Sequence, residues 1–570
     1  MGRTGIVFRV TRVVLCWRLS SGCCTILFKL TLESMHCGIR TGADSDPARR
    51  GQMKALNVGV IGCGMLAHSL CSVIVSKLVP LFEKQSGRII MVKFKSWDYR
   101  QHERPAGVRN SRFYRRCLYG VIGVIIGLFA SEHTQGAATN RYVATNAASV
   151  WPYDSWANAA TNIKYAVDAA NSNDAGDNVI ISNGTYYLTE AIVVSNAVVT
   201  NYSGDRTKVT INGNYPAVTN RCFIMLHANA VISGFTITNG WAATNDLTGS
   251  GGGVYASLGR VHNCLITGCR SEITELERGG GGIYVGSSTT DFCSVIGNIC
   301  ASKPGSNPGL TTRGGGGGVK LSNNDSCITN CIVAWNTATQ AGGIPISGGG
   351  ISATAGIRIN NCTIVSNSAV AYGGGVYFRP WTHSAEITHS TIAGNNSGIF
   401  IWGDGMPSII NCLIAENTGA GISCYAVLSP RRIESCTIVS NTYGIYYCSN
   451  CTGTKTNVRN CIIYYNGGGT NVYDDTGGLL TTSVTYSCVA PGSGFEIDGV
   501  VTNEPLFVDS VNDNYRLKNG SPCINKGTNM TWATAVGATD LGGDPRIIRH
   551  IIDMGAYEWH PPKGTVFSLF

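Results

Sequence analysis

Asn361-Cys-Thr-Ile-Val-Ser-Asn367 is one copy of a phrase that recurs through the chain. It returns as Asn263-Cys-Leu-Ile-Thr-Gly-Cys269, Asn330-Cys-Ile-Val-Ala-Trp-Asn336, Asn411-Cys-Leu-Ile-Ala-Glu-Asn417, Ser435-Cys-Thr-Ile-Val-Ser-Asn441 and Asn460-Cys-Ile-Ile-Tyr-Tyr-Asn466. Looser copies stand at Asp291-Phe-Cys-Ser-Val-Ile-Gly-Asn298 and His389-Ser-Thr-Ile-Ala-Gly-Asn395. A second phrase runs between them: Gly251-Gly-Gly-Val-Tyr255, Gly280-Gly-Gly-Ile-Tyr284, Gly348-Gly-Gly-Ile-Ser352, Gly373-Gly-Gly-Val-Tyr377. The step is 31 residues from Cys331 to Cys362 and 25 from Cys436 to Cys461. Short β-branched runs separated by glycine turns at that period predict a stacked solenoid, because one copy is too small to bury its own apolar face.

Alternation along a strand sets the faces. Cys362 and Ile364 are expected on one face and Thr363 and Val365 on the other, with Cys, Val and Ile forming ladders along the axis. Asparagine at both ends of the strand (Asn361 and Asn367, Asn411 and Asn417) suits turns, since it bonds locally and tolerates the left-handed region. Stacked turn asparagines are also expected to bond to one another as amide ladders. The triple glycines suit sharp corners. The fold class read from this is all-β, a right-handed parallel β-helix of the pectate-lyase-like kind, with an N-terminal helical cap.

The repeats resemble those of right-handed parallel β-helix proteins of bacterial secretion and envelope systems. The pairing of Gly-Gly-[Ile/Val] with a strand ending in Ile-x-x-Asn is similar to the repeats of polymorphic outer-membrane proteins. Such a resemblance implies architecture, not activity.

Charged residues make up 14% of the 570 positions, and there are 72 glycines. Sparse charge with abundant Gly, Asn, Ser and Thr fits a β-solenoid and argues against a nucleic-acid binder. The net charge of +9 is carried by the first 116 residues, which hold 20 Lys and Arg against 6 Asp and Glu. The rest of the chain is mildly acidic.

Residues 1–110 lack clear periodicity and are left unassigned, as an upstream or fused segment. Within them Leu56-Asn-Val-Gly-Val-Ile-Gly-Cys-Gly64 resembles the first strand and glycine turn of dinucleotide-binding oxidoreductases. Ala67 at the third glycine position and Glu83 as the only available acid argue against a nucleotide site. Residues 111–138 read as a signal peptide: a basic Arg112-Phe-Tyr-Arg-Arg116, then the 13-residue apolar run Leu118–Ala130, too few to span a bilayer comfortably, with an uncleaved membrane anchor as the alternative. The β-helix is expected over 139–503. Its cap helix is placed by Trp156, Ile163, Val167 and Ala170 at helical spacing, ending before Asn171. Of 23 cysteines, 16 follow residue 138. Those in the repeat register read as buried thiols rather than disulfides, and the lone Cys448-x-x-Cys451 lacks partners for zinc.

Residues 504–570 carry Glu504-Pro-Leu-Phe-Val-Asp509, Tyr515-Arg-Leu-Lys-Asn-Gly-Ser-Pro-Cys523, Asp540-Leu-Gly-Gly-Asp-Pro-Arg546 and Asp553-Met-Gly-Ala-Tyr-Glu558. This resembles the choice-of-anchor Q module of bacterial surface proteins, which implies a cell-surface setting. On residues alone the tail reads as a coil-capping segment whose Asp540, Arg546, Asp553 and Glu558 form structural pairs.

Catalysis on a polysaccharide needs paired carboxylates, or acids with calcium beside a basic residue. Asp291, Asp325, Glu386, Asp404, Glu416 and Glu434 occur about once per coil and share no repeat register on this reading. Asp404, Glu386 and His383, with His389 nearby, are the catalytic candidates. No cofactor is called for, calcium at Asp474-Asp475 being the single option. The expectation is a secreted or outer-surface, monomeric and non-catalytic protein, adhesin-like or glycan-binding through Trp335, Tyr377, Trp381 and Trp402. Its partner would be a polysaccharide or envelope component, with no nucleic acid or nucleotide. A polysaccharide lyase or hydrolase on the same scaffold is the alternative.

Overall fold

The computed structural model describes residues 8–20, 23–34, 54–61 and 138–561, the last span apart from the loops 174–175, 244–248, 275–277, 303–312, 341–344, 355, 380–384, 404–406, 426–430, 452–455, 468–470, 477–482 and 492–497. The chain divides into two units, 1–126 and 127–570. In the first, Cys23–Ser34 pairs antiparallel with both Phe8–Ser20 and Lys54–Ile61. A dinucleotide turn is built on a parallel sheet, and among the described residues Lys54–Ile61 pairs only antiparallel, with Cys23–Ser34. The turn at Gly62 and Gly64 and the signal-peptide reading of 111–138 lie outside the described residues. Among the described residues no helix is long and apolar enough to cross a membrane.

The second unit is a right-handed parallel β-helix. One coil serves for all. Gly251–Gly253 turn a corner, Val254–His262 form a long strand bearing a first and a second strip, Leu265–Thr267 form a third strip, and Arg270–Ile273 a fourth. Each strip pairs in parallel with the same strip of the next coil. In the first, Val254 stacks on Ile283, then Val319, Ile351, Val376, Ile399, Ile422, Ile445 and Val472. The third strip is a twelve-stranded sheet whose central Ile266, Val295, Val333, Ile364, Ile392, Ile414, Ile438 and Ile463 are all fully buried. Burial of each such side chain contributes about 1.5–3 kcal/mol, so the interior ladder dominates stability. As expected, Cys362 and Ile364 face inward while Thr363 is exposed.

The two asparagines of the repeat do different work. Asn263, Asn330, Asn361, Asn411 and Asn460 hold the corner between the second and third strips at φ of 48, 53, 49, 55 and 54°, where asparagine is tolerated better than most L-residues. The degenerate copies put Phe292, His389 and Ser435 in the same left-handed corner. The second series points inward. Asn298, Asn336, Asn367, Asn395, Asn417, Asn441 and Asn466 each donate Nδ2 and backbone N–H to the next side-chain carbonyl, ending on Asn471. At the glycine corner a Cβ on Gly252 would sit 2.3 Å from the Gly281 carbonyl oxygen, and one on Gly281 2.2 Å from that of Gly317. Coils this close admit only glycine.

The cap helix is Ile163–Asn171, with the Asn162 side chain accepting from the Lys164 N–H. Its buried Ile163, Ala166, Val167 and Ala170 pack it against the opening coils, including Ile192–Val194. Trp156 is not part of it. Ala160 bridges to Val143, holding the chain extended until Asn162, and Trp156 instead packs on Tyr142 and Tyr202 at 4.7 and 5.2 Å.

The 16 cysteines from Cys222 to Cys523 are free thiols. Along one rung the Cys264 N–H donates to Cys293 Sγ and the Cys293 N–H to Cys331 Sγ, each at 3.3 Å. Ser390 and Ser487 fill the same register with Oγ, accepting from the N–H of Cys362 and Cys461 at 3.1 and 3.0 Å.

The tail does more than cap. Val501 adds a last parallel bridge to Cys488, after which the chain turns back along the flank. Phe507, Tyr515, Leu517, Cys523 and Met554 pack on the outward Leu413, Ala415, Val439, Ile462 and Cys488 of the third strip. The coil-capping reading is thus replaced by a lateral strap, because these coils present apolar side chains on both faces. The expected pairing of its charges is present. Arg546 is fully buried, 3.4 Å from Glu558, and donates to the Gly555 carbonyl at 2.6 Å. Asp540 accepts from the N–H groups of Asp544 and Glu558, and Asp553 from those of Asn525 and Trp559.

Candidate functional site

Of the catalytic candidates, Asp404 and His383 lie outside the described residues, as does Trp381. Glu386 is exposed, on the outward side of the second strip between Arg358 and Ser408. His389, three residues on, sits at the left-handed corner with Nε2 3.2 Å from the Thr539 carbonyl of the tail. Burial holds its imidazole below the usual histidine range. Two other acids serve docking of the tail: Glu434 accepts from Trp532 Nε1 at 3.1 Å and Glu416 from the Tyr515 hydroxyl at 2.7 Å. Asp513 beside Glu416, together with burial, holds the Glu416 carboxyl above its ordinary value. Asp474 accepts from the Thr476 N–H, and Asp475 faces the Tyr446 hydroxyl. Among the described residues no three of His, Cys, Asp and Glu cluster as metal ligands.

The acids do share a register in one case. Asp291 and Glu434 occupy the same outward rung of the second strip, five pairings apart, or about 24 Å at the usual strand spacing. That is too far for a carboxylate pair. Asp291 does have close partners. The Arg260 guanidinium grips it through Nε at 3.0 Å and Nη2 at 2.5 Å, and His262 Nδ1 lies 3.2 Å from its Oδ1. Burial opposes the charge on Asp291, but Arg260 and His262 outweigh it and hold the carboxyl below its usual range. The same His262 Nδ1 also lies 3.3 Å from Arg260 Nη2, and its ring packs edge-on beside the exposed ring of Phe292. This trio comes together only when consecutive coils stack at matching rungs, which no single repeat reveals.

The outward side of the first strip is aromatic. Its register runs Tyr255, Tyr284, Lys320, Ser352, Tyr377, Phe400, Ser423, Tyr446 and Tyr473. Tyr377 was expected on the surface and is instead fully buried. The backbone at Gly314 closes over it and Ser352: a Cβ there would meet the Tyr377 ring at 3.0 Å. Beyond this roof the face opens. Tyr372 stacks on Phe400 at 4.3 Å, Trp402 packs on Tyr425 at 4.4 Å, and Phe400 lies 6.3 Å from Tyr425. A second group follows, with Tyr446 and Tyr473 parallel at 5.4 Å and Tyr443 against both. Trp402, Tyr425, Tyr443, Tyr446 and Tyr473 are all partly exposed. Trp335 is 63% exposed, but it occupies the corner after the third strip, away from this face. Sequence reasoning picked out Trp402. It missed Tyr372, Phe400 and Tyr425; Tyr425 follows the Gly-Ile corner at Gly421 by the same four positions as Trp402 follows Gly398, and the two are paired in register.

Residues 317–485 match a family model described as a right handed beta helix region. No curated protein matches the chain. Among solved structures the chain is similar to ORF18 of Geobacillus virus E2 at 13% identity and TM-score 0.31, over 66% of this chain and 64% of the viral one, so it spans just under two thirds of that protein. It is also similar to a mannuronic-acid-specific polysaccharide family 6 lyase from human gut microbiota, at 10% identity and TM-score 0.22, over 54% of this chain and 86% of the enzyme.

Proposed function

We propose that the protein is a secreted or outer-surface β-helix that binds polysaccharide without cleaving it. The observation that carries this reading is the open aromatic group Tyr372, Trp402 and Tyr425 packed around the buried Phe400, continued by Tyr443, Tyr446 and Tyr473. Aromatic rings present rigid apolar faces with polar tips, and cost little conformational entropy to order. The apolar C–H face of a pyranose ring lies on such a surface while its hydroxyls stay solvated. Because the rings repeat along the solenoid axis, an extended glycan suits them better than a single sugar. Sparse charge fits a neutral or weakly charged polymer. The resemblance of the tail to choice-of-anchor Q modules supports a cell-surface setting, and the repeats' likeness to polymorphic outer-membrane proteins points the same way.

A catalytic reading is favoured by one observation only, the His262–Asp291 pair with Arg260. An oriented imidazole can act as a general base, which a lyase or hydrolase on this scaffold would use.

One experiment separates the two. Residues 139–570 are applied to immobilised neutral glycans and polyuronates, with and without calcium, while reducing ends and unsaturated-uronate absorbance are followed. Saturable retention without product, lost in Trp402→Ala, supports binding. Product that disappears in His262→Ala overturns it, and absence of any retention overturns both readings.

A further inference from the structure

The aromatic register of the first strip is interrupted at Ser423. Phe400 pairs with Ser423 and Ser423 with Tyr446, so the two rings stand two pairings apart, about 10 Å at the usual strand spacing. Ser352 interrupts the same register but is fully buried, with the Gly314 backbone over it. Ser423 is partly exposed, so this second interruption opens to solvent. Among the described residues no ring contact crosses it: Tyr425 packs back on Trp402 and Phe400, and Tyr446 packs forward on Tyr473. We infer that the gap is a subsite for one pyranose ring whose hydroxyls are all equatorial, the unit of a β-linked glucan, held between Tyr425 and Tyr446 over Ser423. This rests on the aromatic face being the glycan-binding surface, and it names the sugar that surface takes.

Rings elsewhere on this face stack one on another. Tyr446 lies on Tyr473 at 5.4 Å and 5°, and Tyr372 on Phe400 at 4.3 Å and 19°. A ring inserted at the Ser423 rung stands about 5 Å from the rungs on either side, within stacking range. Both of its faces then meet aromatic carbon, so both must be apolar. A glucose-configured pyranose presents only C–H bonds on its two faces. An axial hydroxyl, as in mannose or galactose, points an oxygen into one ring with no partner there, which costs free energy. Equatorial hydroxyls lie at the sugar's edge, where the polar groups of the gap are. Ser423 Oγ is at the floor. The Tyr425 hydroxyl accepts from Asn450 Nδ2 at 2.7 Å and keeps its own hydrogen to donate. Asn450, on the coil of Tyr446, bounds the gap on that side. Charge selects as well. The exposed Asp475 lies 3.4 Å from the Tyr446 hydroxyl, with the exposed Asp474 before it, so a uronate meets like charge at this rim.

The test uses the full chain, titrated by calorimetry with β-linked cellohexaose, mannohexaose and galactohexaose and with oligogalacturonate. Ser423→Tyr supplies the missing ring from the protein itself. Phe400 and Tyr446 already hold rings at this register in the neighbouring coils, so the coil keeps its pairing, and an unchanged Tm checks that it does. Tyr446→Ala removes one wall of the gap and serves as the second variant. The expected result is saturable binding of cellohexaose, at least tenfold tighter than of the other three probes and weakened tenfold or more in both variants. Trp335→Ala, at a corner away from this face, leaves it unchanged. Equal affinity for cellohexaose and either axial-hydroxyl probe, tighter binding of the uronate, or wild-type affinity in a folded Ser423→Tyr would overturn the inference. Binding lost in Trp402→Ala but untouched in Ser423→Tyr overturns it while the aromatic face stands as the glycan-binding surface. No binding of any probe overturns both.

Discussion

The side chains of Asn367 and Asn395 are joined inside the solenoid. The Asn395 Oδ1 accepts the Asn367 backbone N–H at 2.8 Å and the Asn367 Nδ2 at 3.1 Å, while Asn395 Nδ2 donates to the Ile364 carbonyl at 3.1 Å. Every rung of the ladder satisfies three buried polar groups this way. The turn of each coil is thereby bonded to the next by side chains as well as by the parallel strands.

Asn395→Ala strips a partner from the Asn367 N–H, from one of the two hydrogens of its amide (the other stays on the Val333 carbonyl) and from the Ile364 carbonyl, all buried. At about 1–3 kcal/mol for each unsatisfied group, the expected loss is about 3 kcal/mol or more in a denaturant titration. Asn361→Ala at the exposed corner loses about 1 kcal/mol or less by the same principle. Equal effects at the two sites would contradict the ladder's role.

The thiol ladder behaves as packing. Two buried thiols outside the ladder, Cys269 and Cys300, are pushed by burial up to about 12 and about 11, so both are protonated and unreactive at neutral pH. Cys362→Ser is expected to cost about 1 kcal/mol or less, because Ser390 and Ser487 already occupy this register. Native protein should resist thiol reagents, and Tm should not move on adding reductant. A reductant-dependent fall in Tm would reveal disulfides in place of thiols.

Arg546 locks the strap. Arg546→Met leaves Asp540, Asp553 and Glu558 buried together without their cation, a defect of about 3–5 kcal/mol. Limited proteolysis should then release the segment beyond residue 503 while the coils stay resistant. A tail as protected as that of the wild type would show that apolar packing alone holds it.

Docking of the tail also depends on pH. Burial, opposed by Arg546, raises the Glu558 carboxyl to about 8 from its ordinary 4.5. The folded state therefore binds a proton that the unfolded chain has released between those values, and stability falls as pH rises through that window. Tm should decline from about pH 5 to about pH 8 on this account, and the decline should shrink in Glu558→Gln. A slope unchanged in that variant would assign the effect elsewhere.

Much of this was readable in one copy of the repeat. The alternation in Cys362-Thr-Ile-Val365 gave the inward face, the asparagines gave the corners, and Gly252 and Gly281 gave the close approach of coils, because each is a local demand on backbone or packing. The strap was partly legible too: Leu413 and Ile462 are apolar in the register where earlier coils carry Thr363 and Thr391, a sign that both faces are covered. Trp156 misled because helical spacing continued past the Asn162 cap. Tyr377 misled because its roof comes from a segment more than sixty positions earlier in the chain.

The sequence by itself determined the architecture, since every coil repeats the same local rules and stacking follows from them. Tertiary structure decided which outward residues meet. Arg260 and His262 reach Asp291 across one coil, Phe400 reaches Tyr372 and Tyr425 across two, and His389 meets Thr539 from 150 positions away. Those distances depend on coil length, on matching rungs and on the path of the strap, which are properties of the stacked whole and not of any single repeat.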